Sequence, residues 1–134
     1  TQRQQPEVIA AALGASTIAI VGLSSNPMRP SYGVAEYLIN AGFEVIPVNP
    51  REQEVLGLPC YASLAEVPKA IDTVDVFRES SAVPDIAQQA VAIGAKFLWL
   101  QLGVISDEGV GIAEAGGMQC VVDLCTKIEH QRLL

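Results

Sequence analysis

The sequence predicts an α/β fold, a Rossmann-like parallel sheet of about five strands flanked by helices on both faces. Three observations predict it. Short β-branched or apolar runs alternate along the chain with segments of helical spacing, the pattern of consecutive βαβ units. The runs are almost continuously apolar, as strands covered on both faces must be. Joined in this order, parallel strands are linked by right-handed crossovers.

The elements follow in order. Pro6 suits a first helical turn, and Val8–Leu13 reads as a short helix. Thr17-Ile18-Ala19-Ile20-Val21 is a buried strand closed by Gly22. Val34, Leu38 and Ala41 share one face of a helix that Gly42 ends. Glu44-Val45-Ile46-Pro47-Val48 is the second strand; Pro47 lacks a ladder donor and favours a sheet edge or a strand end. Ser63-Leu64-Ala65-Glu66 has the form of a capping box and starts a short helix. Thr73–Phe77 is the third strand. Val83, Ile86, Ala90 and Ile93 line one face of the next helix, with Pro84 near its start. Phe97-Leu98-Trp99-Leu100 is the fourth strand, with Trp99 in the core. Asp107–Ala115 is a helix weakened by Gly109 and Gly111. Gln119–Val122 is the fifth strand, and Thr126-Lys127-Ile128-Glu129 is a second capping box opening a C-terminal helix.

The 134 residues fit one domain, residues 1–134, with no linker, repeat or low-complexity tract. With 15 acidic and 8 basic residues the net charge is −7, which argues against nucleic acid or an acidic membrane as partner. Residues 8–28 carry no charge, but Gly14, Gly22 and a cluster of polar residues interrupt them, so no membrane span is expected. Cys60, Cys120 and Cys125 are odd in number and without a CxxC, and His130 is the only histidine. Free thiols, no metal site and a cytoplasmic location are the expectation.

Sheets of this class bind ligands at the carboxyl ends of their strands, near the topological switch point. The informative segments are therefore the loops after each strand. After the first strand runs Gly22-Leu23-Ser24-Ser25-Asn26-Pro27-Met28-Arg29-Pro30-Ser31-Tyr32-Gly33. It has neither the GxGxxG nor the GxxxxGK[ST] spacing, so P-loop ATP hydrolysis has no support. It still suits an anion. Gly22 permits a tight turn, Ser24, Ser25 and Asn26 supply donors, and Arg29 is the one charged residue. Ser31 is placed to cap a helix whose N-terminus attracts phosphate.

After the second strand, Asn49-Pro50-Arg51 stands where an NAD-binding domain usually has an acidic residue for the ribose. A basic residue there suits a phosphorylated ribose, the 2′-phosphate of NADP or the 3′-phosphate of coenzyme A. After the third, Arg78 can contact phosphate or pair with Glu79, and Ser80 or Ser81 can cap the next helix. Gln101 and Gly103 follow the fourth. After the fifth, Cys125 precedes a helix start, where the dipole lowers a thiol pKa. A catalytic pair with His130 would need residues five apart on one helix face, which the helical repeat disfavours.

Together, the first loop through Val34, Val48-Asn49-Pro50-Arg51, Asp75-Val76-Phe77-Arg78, Trp99-Leu100-Gln101-Leu102-Gly103 and Asp123–His130 resemble the small stand-alone bacterial and archaeal CoA-binding domain proteins. More distantly, they are similar to the CoA-binding N-terminal domain of the succinyl-CoA synthetase alpha subunit and of ADP-forming acyl-CoA synthetases. The resemblance runs from about residue 8 to residue 133 and implies a Rossmann-like fold with bound coenzyme A or acyl-CoA. It implies a diphosphate over Gly22, Ser24, Ser25, Arg29 and the helix start at Ser31, Tyr32 and Gly33. It implies the adenosine 3′-phosphate near Asn49, Pro50 and Arg51, and the pantetheine arm along Phe77, Arg78 and Gln101. The synthetases carry phosphohistidine and ATP-grasp domains beyond this one, and this sequence ends after the first. His130 inherits no phosphohistidine role, and a binding module without an evident catalytic centre is expected. An NADP-binding oxidoreductase-type domain and a CoA-binding subunit of a separate acyl-CoA synthetase are the alternatives.

Overall fold

The computed structural model describes residues 5–134; residues 1–4 of the expected domain lie outside them. In chain order the regular elements are α1 (Pro6–Gly14), β1 (Thr17–Val21), α2 (Pro30–Asn40), β2 (Glu44–Val48), β3 (Glu54–Val55), β4 (Leu58–Pro59), β5 (Thr73–Val76), α3 (Val83–Ala92), β6 (Phe97–Leu100), α4 (Asp107–Ala115), β7 (Gln119–Val122) and α5 (Thr126–Leu133). Five strands form one parallel sheet in the order β2-β1-β5-β6-β7. The chain builds outward from β1 first to β2 and then, through β5, in the other direction. The switch point therefore lies between β1 and β5, where a ligand crevice is expected.

Successive strand residues point to opposite faces, and the core splits accordingly. Ala19, Val21, Val74, Val76, Leu98 and Leu100 pack beneath α3 and α4 with Val83, Ile86, Ala90, Val110 and Ala113. Ile18, Ile20 and Val45 pack with Val34, Ala35 and Leu38 of α2 on the other face. On that same face Phe97, Trp99 and Val121 meet Val8, Ile9, Ala12 and Leu13 of α1. Trp99 is fully buried, and its indole N–H donates to the Leu124 carbonyl at 2.8 Å. That bond supplies the partner a buried indole needs.

Pro47 sits on an edge strand, as its missing N–H requires. Its carbonyl accepts from Tyr61 N–H at 3.1 Å on the outer side, so no sheet neighbour loses a donor. Gly109 is a contact requirement rather than a helix defect. A Cβ there would lie 2.4 Å from Val83 Cγ1, so the bare backbone is what lets α4 press against α3. Ser106 caps α4 by accepting from Gly109 N–H at 3.0 Å.

Several local expectations change. Residues 54–59, given no element from the sequence, form the β3–β4 hairpin, with positive φ at Leu56 and Gly57. Ser63 precedes only a short 3-10 turn, and its hydroxyl reaches the Glu66 carboxylate at 3.3 Å rather than a backbone N–H. Neither Ser80 nor Ser81 caps α3; Ser80 Oγ instead accepts from Ile105 N–H at 3.0 Å. Thr126 is the first residue of α5 rather than its cap, and its hydroxyl turns inward to Asp75. No disulfide joins Cys60, Cys120 and Cys125 among the described residues. No helix among the described residues is long and apolar enough to cross a membrane.

Candidate functional site

A cleft of about 1010 Å³ opens at the carboxyl edge of the sheet, over the switch point. This is at the upper end of the roughly 300–1,000 Å³ of small-molecule sites. Residues that follow all five strands of the sheet line it. Gly22, Ser24, Arg29 and Ser31 come from the β1–α2 loop and helix start, Asn49, Pro50 and Arg51 from the end of β2. Phe77 and Arg78 follow β5, Gln101 follows β6, and Cys125 contributes from the start of α5. Of the residues that the resemblance assigns to a ligand, Ser25, Tyr32 and Gly33 stand outside this lining.

Gly22 is what lets the first loop turn here. Its φ is +91°, and its N–H donates to the Val48 carbonyl at 2.8 Å. Ser31 is not the cap of α2. Arg29 holds the N-cap position without a side-chain bond, Pro30 takes the first helical position, and buried Ser31 accepts from Ser24 N–H at 3.1 Å. The start of α2 therefore faces the cleft without a side-chain cap, with its positive dipole end available to an anion.

The first two loops are laced together. Asn49 Nδ2 donates to the Leu23 carbonyl at 3.0 Å, while Asn49 Oδ1 accepts from Arg51 N–H at 2.9 Å. Glu52 accepts from both Ser25 N–H, at 2.9 Å, and Ser25 Oγ, at 2.8 Å. These two bonds, the backbone one foremost, hold the Glu52 carboxyl below the usual carboxylate range. Ser25 thus has its donors directed to a carboxylate across the cleft rim. The lining also carries Arg29, Arg51 and Arg78, with Glu79 and Asp85 as its other acidic residues. Among the described residues neither Arg29 nor Arg51 is paired with a carboxylate, whereas Arg78 is bound to Glu79 at 2.8 Å.

The cleft floor holds a polar cluster missed in the sequence. Asp75, in the middle of β5, is fully buried beneath the start of α5. Gln101 Nε2 donates to Asp75 Oδ1 at 2.8 Å and to Thr126 Oγ1 at 3.0 Å, and Thr126 Oγ1 donates to Asp75 Oδ2 at 3.1 Å. Burial pushes the Asp75 carboxyl up to about 7, against the opposing pull of the Gln101 and Thr126 hydrogen bonds. The available signal was a charged residue inside an otherwise apolar strand, Thr73-Val74-Asp75-Val76.

Cys125 and His130 do not form a pair. His130 is outside the cleft lining, its Nδ1 lies 2.7 Å from the Tyr37 hydroxyl, and its ring packs edge-on against Phe43. Cys60 is half-buried near Asn49, and desolvation raises its thiol pKa. Among the described residues no group of three or more His, Cys, Asp or Glu is arranged to hold a metal ion.

Residues 16–131 match the family of the CoA binding domain. The chain is 39% identical over 113 residues to the uncharacterized protein YneT of Bacillus subtilis, covering 84% of each chain. A hypothetical protein from Pyrococcus horikoshii superposes with a TM-score of 0.93 at 36% identity, over 96% of this chain and 92% of that one. A structure from Thermus thermophilus superposes with a TM-score of 0.91, also at 36% identity, over 98% of this chain and 100% of that one. An ADP-forming acetate–CoA ligase of Archaeoglobus fulgidus is 27% identical over 100 residues, which cover 73% of this chain and only 15% of the ligase. The family match spans most of the sequence, and the nearly full-length likenesses agree with it in fold: the chain belongs to the CoA-binding domain family.

Proposed function

We propose that the cleft binds coenzyme A or an acyl-CoA. The diphosphate lies over Gly22, Ser24, Ser25, Arg29 and the start of α2 at Ser31, Tyr32 and Gly33. The adenosine 3′-phosphate meets Asn49, Pro50 and Arg51, and the pantetheine arm runs past Phe77 and Arg78 to Gln101. The observation that carries this reading is the pair of arginines without carboxylate partners, Arg29 and Arg51, on two laced loops of an acidic chain. Family membership supports CoA over the other phosphorylated nucleotides that such a rim would accept.

Calorimetric titration with CoA, dephospho-CoA and NADP tests it. CoA is expected to bind more tightly than dephospho-CoA, and Arg51→Ala is expected to remove most of the difference. A charge-assisted hydrogen bond contributes about 1.5–3 kcal/mol, so the loss should be roughly tenfold to a hundredfold. Equal affinity for CoA and dephospho-CoA overturns the 3′-phosphate assignment, and tighter binding of NADP favours a nicotinamide-dinucleotide domain. The likeness to one segment of the ADP-forming ligases favours a second reading, a CoA site serving a separate catalytic chain.

Glu52 makes a further expectation specific. Its carboxylate occupies the Ser25 donors that a diphosphate would use. Glu52→Gln should therefore tighten CoA binding modestly, by about twofold to threefold, as expected for an exposed charge interaction. The gain should shrink with added salt; weaker binding by the variant would show that Glu52 supports the loop rather than competing for it.

A further inference from the structure

The buried contacts beneath the cleft fix which end of one amide faces a ligand. Gln101 is 4% exposed, and Asp75 and Thr126 are 0% exposed. Both hydrogens of the Gln101 amide nitrogen are used, one toward Asp75 Oδ1 and one toward Thr126 Oγ1. Rotating the amide by half a turn would set its oxygen against the Asp75 oxygen and leave two acceptors facing each other. The orientation is therefore determined by the cluster. With Asp75 ionised this is the only orientation in which both of its oxygens find donors. The other end of the amide, Oε1, has no protein donor among the described residues, although the side chain lines the cleft. A nearly buried acceptor left without a donor is costly, so a ligand donor placed there gains affinity.

We propose that Asp75 and Thr126 are positioning residues that hold Gln101 as an acceptor only, so that its Oε1 reads a hydrogen-bond donor, an amide N–H or a thiol, on the ligand's arm. This rests on the CoA reading above and deepens it. The CoA arm carries donors of both kinds, whereas adenosine 3′,5′-bisphosphate has the nucleotide without the arm. The cluster thus gives the floor a different task from the arginine rim. The rim reads phosphate, and the floor reads the polarity of the arm.

The experiment compares CoA with adenosine 3′,5′-bisphosphate by calorimetry on the wild type, Gln101→Met, Thr126→Val and Thr126→Ser, with thermal unfolding to confirm that each variant folds. Gln101→Met keeps the length of the side chain and removes the acceptor. It is expected to weaken CoA by about threefold to tenfold, the range of one neutral hydrogen bond, and to leave the bisphosphate unchanged. Thr126→Val frees one amide hydrogen and is expected to weaken CoA selectively, and Thr126→Ser, which keeps the hydroxyl, to restore it. Wild-type CoA affinity in folded Gln101→Met overturns the inference. So does an equal loss for both ligands, or failure of Thr126→Ser to recover what Thr126→Val loses. If the wild type binds neither ligand, the CoA reading itself falls.

Discussion

Gly22→Ala is expected to destabilise the protein by about 3 kcal/mol or more, the sum of a left-handed backbone penalty and an unrelieved contact. The added Cβ would lie 2.6 Å from the Phe77 carbonyl oxygen and 3.1 Å from its carbon. Both atoms are backbone, anchored because Phe77 N–H donates to the Val21 carbonyl at 2.8 Å. No side-chain rotation relieves the clash, so β1 and β5 must separate at the edge where the cleft opens. Gly42→Ala is the control: its φ is +100°, yet nothing lies within 4 Å of a Cβ there. That variant should show the backbone penalty alone, about 1 kcal/mol. Urea unfolding of the two variants measures the difference. Equal losses would mean that the close approach of Gly22 to the Phe77 carbonyl has no energetic weight. The proposed ligand site carries the same expectation, since Gly22→Ala should weaken CoA binding even where the variant remains folded.

The parallel sheet was legible because its signals are redundant. Every long strand but β5, which Asp75 interrupts, is a nearly continuous apolar run, and every crossover helix has its own apolar face. The loops of the cleft were legible from position, since any side chain just past a strand's carboxyl end in this topology lies near the switch point. What escaped was set by contacts between distant segments. The β3–β4 hairpin has two residues per strand, too few for an alternation to register. The Thr126-x-x-Glu129 spacing matches a capping box, but the Thr126 hydroxyl is drawn to Asp75, 51 residues away, and Cys125 takes the cap position. Ser31 is likewise diverted, from a helix cap to the backbone of Ser24. In each case a local rule for a hydroxyl was outcompeted by a donor or acceptor brought near by the fold. Gly109 is the converse, a residue that weakens the helix by propensity and yet is required by the close approach of α3.

Asp75 supplies a pH test of the buried cluster that needs no ligand. Its carboxyl is raised from 3.8 to about 7 in the folded protein, chiefly by burial. The folded state therefore holds this proton more tightly than the unfolded chain. Its contribution to stability is complete below about pH 4 and is lost as pH rises through about 7. Between pH 5 and pH 8 the wild type should lose about 2–3 kcal/mol from this group, at most about 1.4 kcal/mol per pH unit. Glu44 and Glu52 have lowered values and act with the opposite sign, but their effect falls below pH 5. Asp75→Asn cannot ionise and can keep its oxygen toward Gln101 and its amide toward Thr126. It should remove the loss, and the variant should be more stable than the wild type at pH 8. Urea unfolding of both proteins at pH 5 and pH 8 gives the double difference, in which every shared titration cancels. A double difference near zero would mean that Asp75 ionises in place without cost, with water reaching a carboxylate that the packing of β1, β6 and α5 closes off.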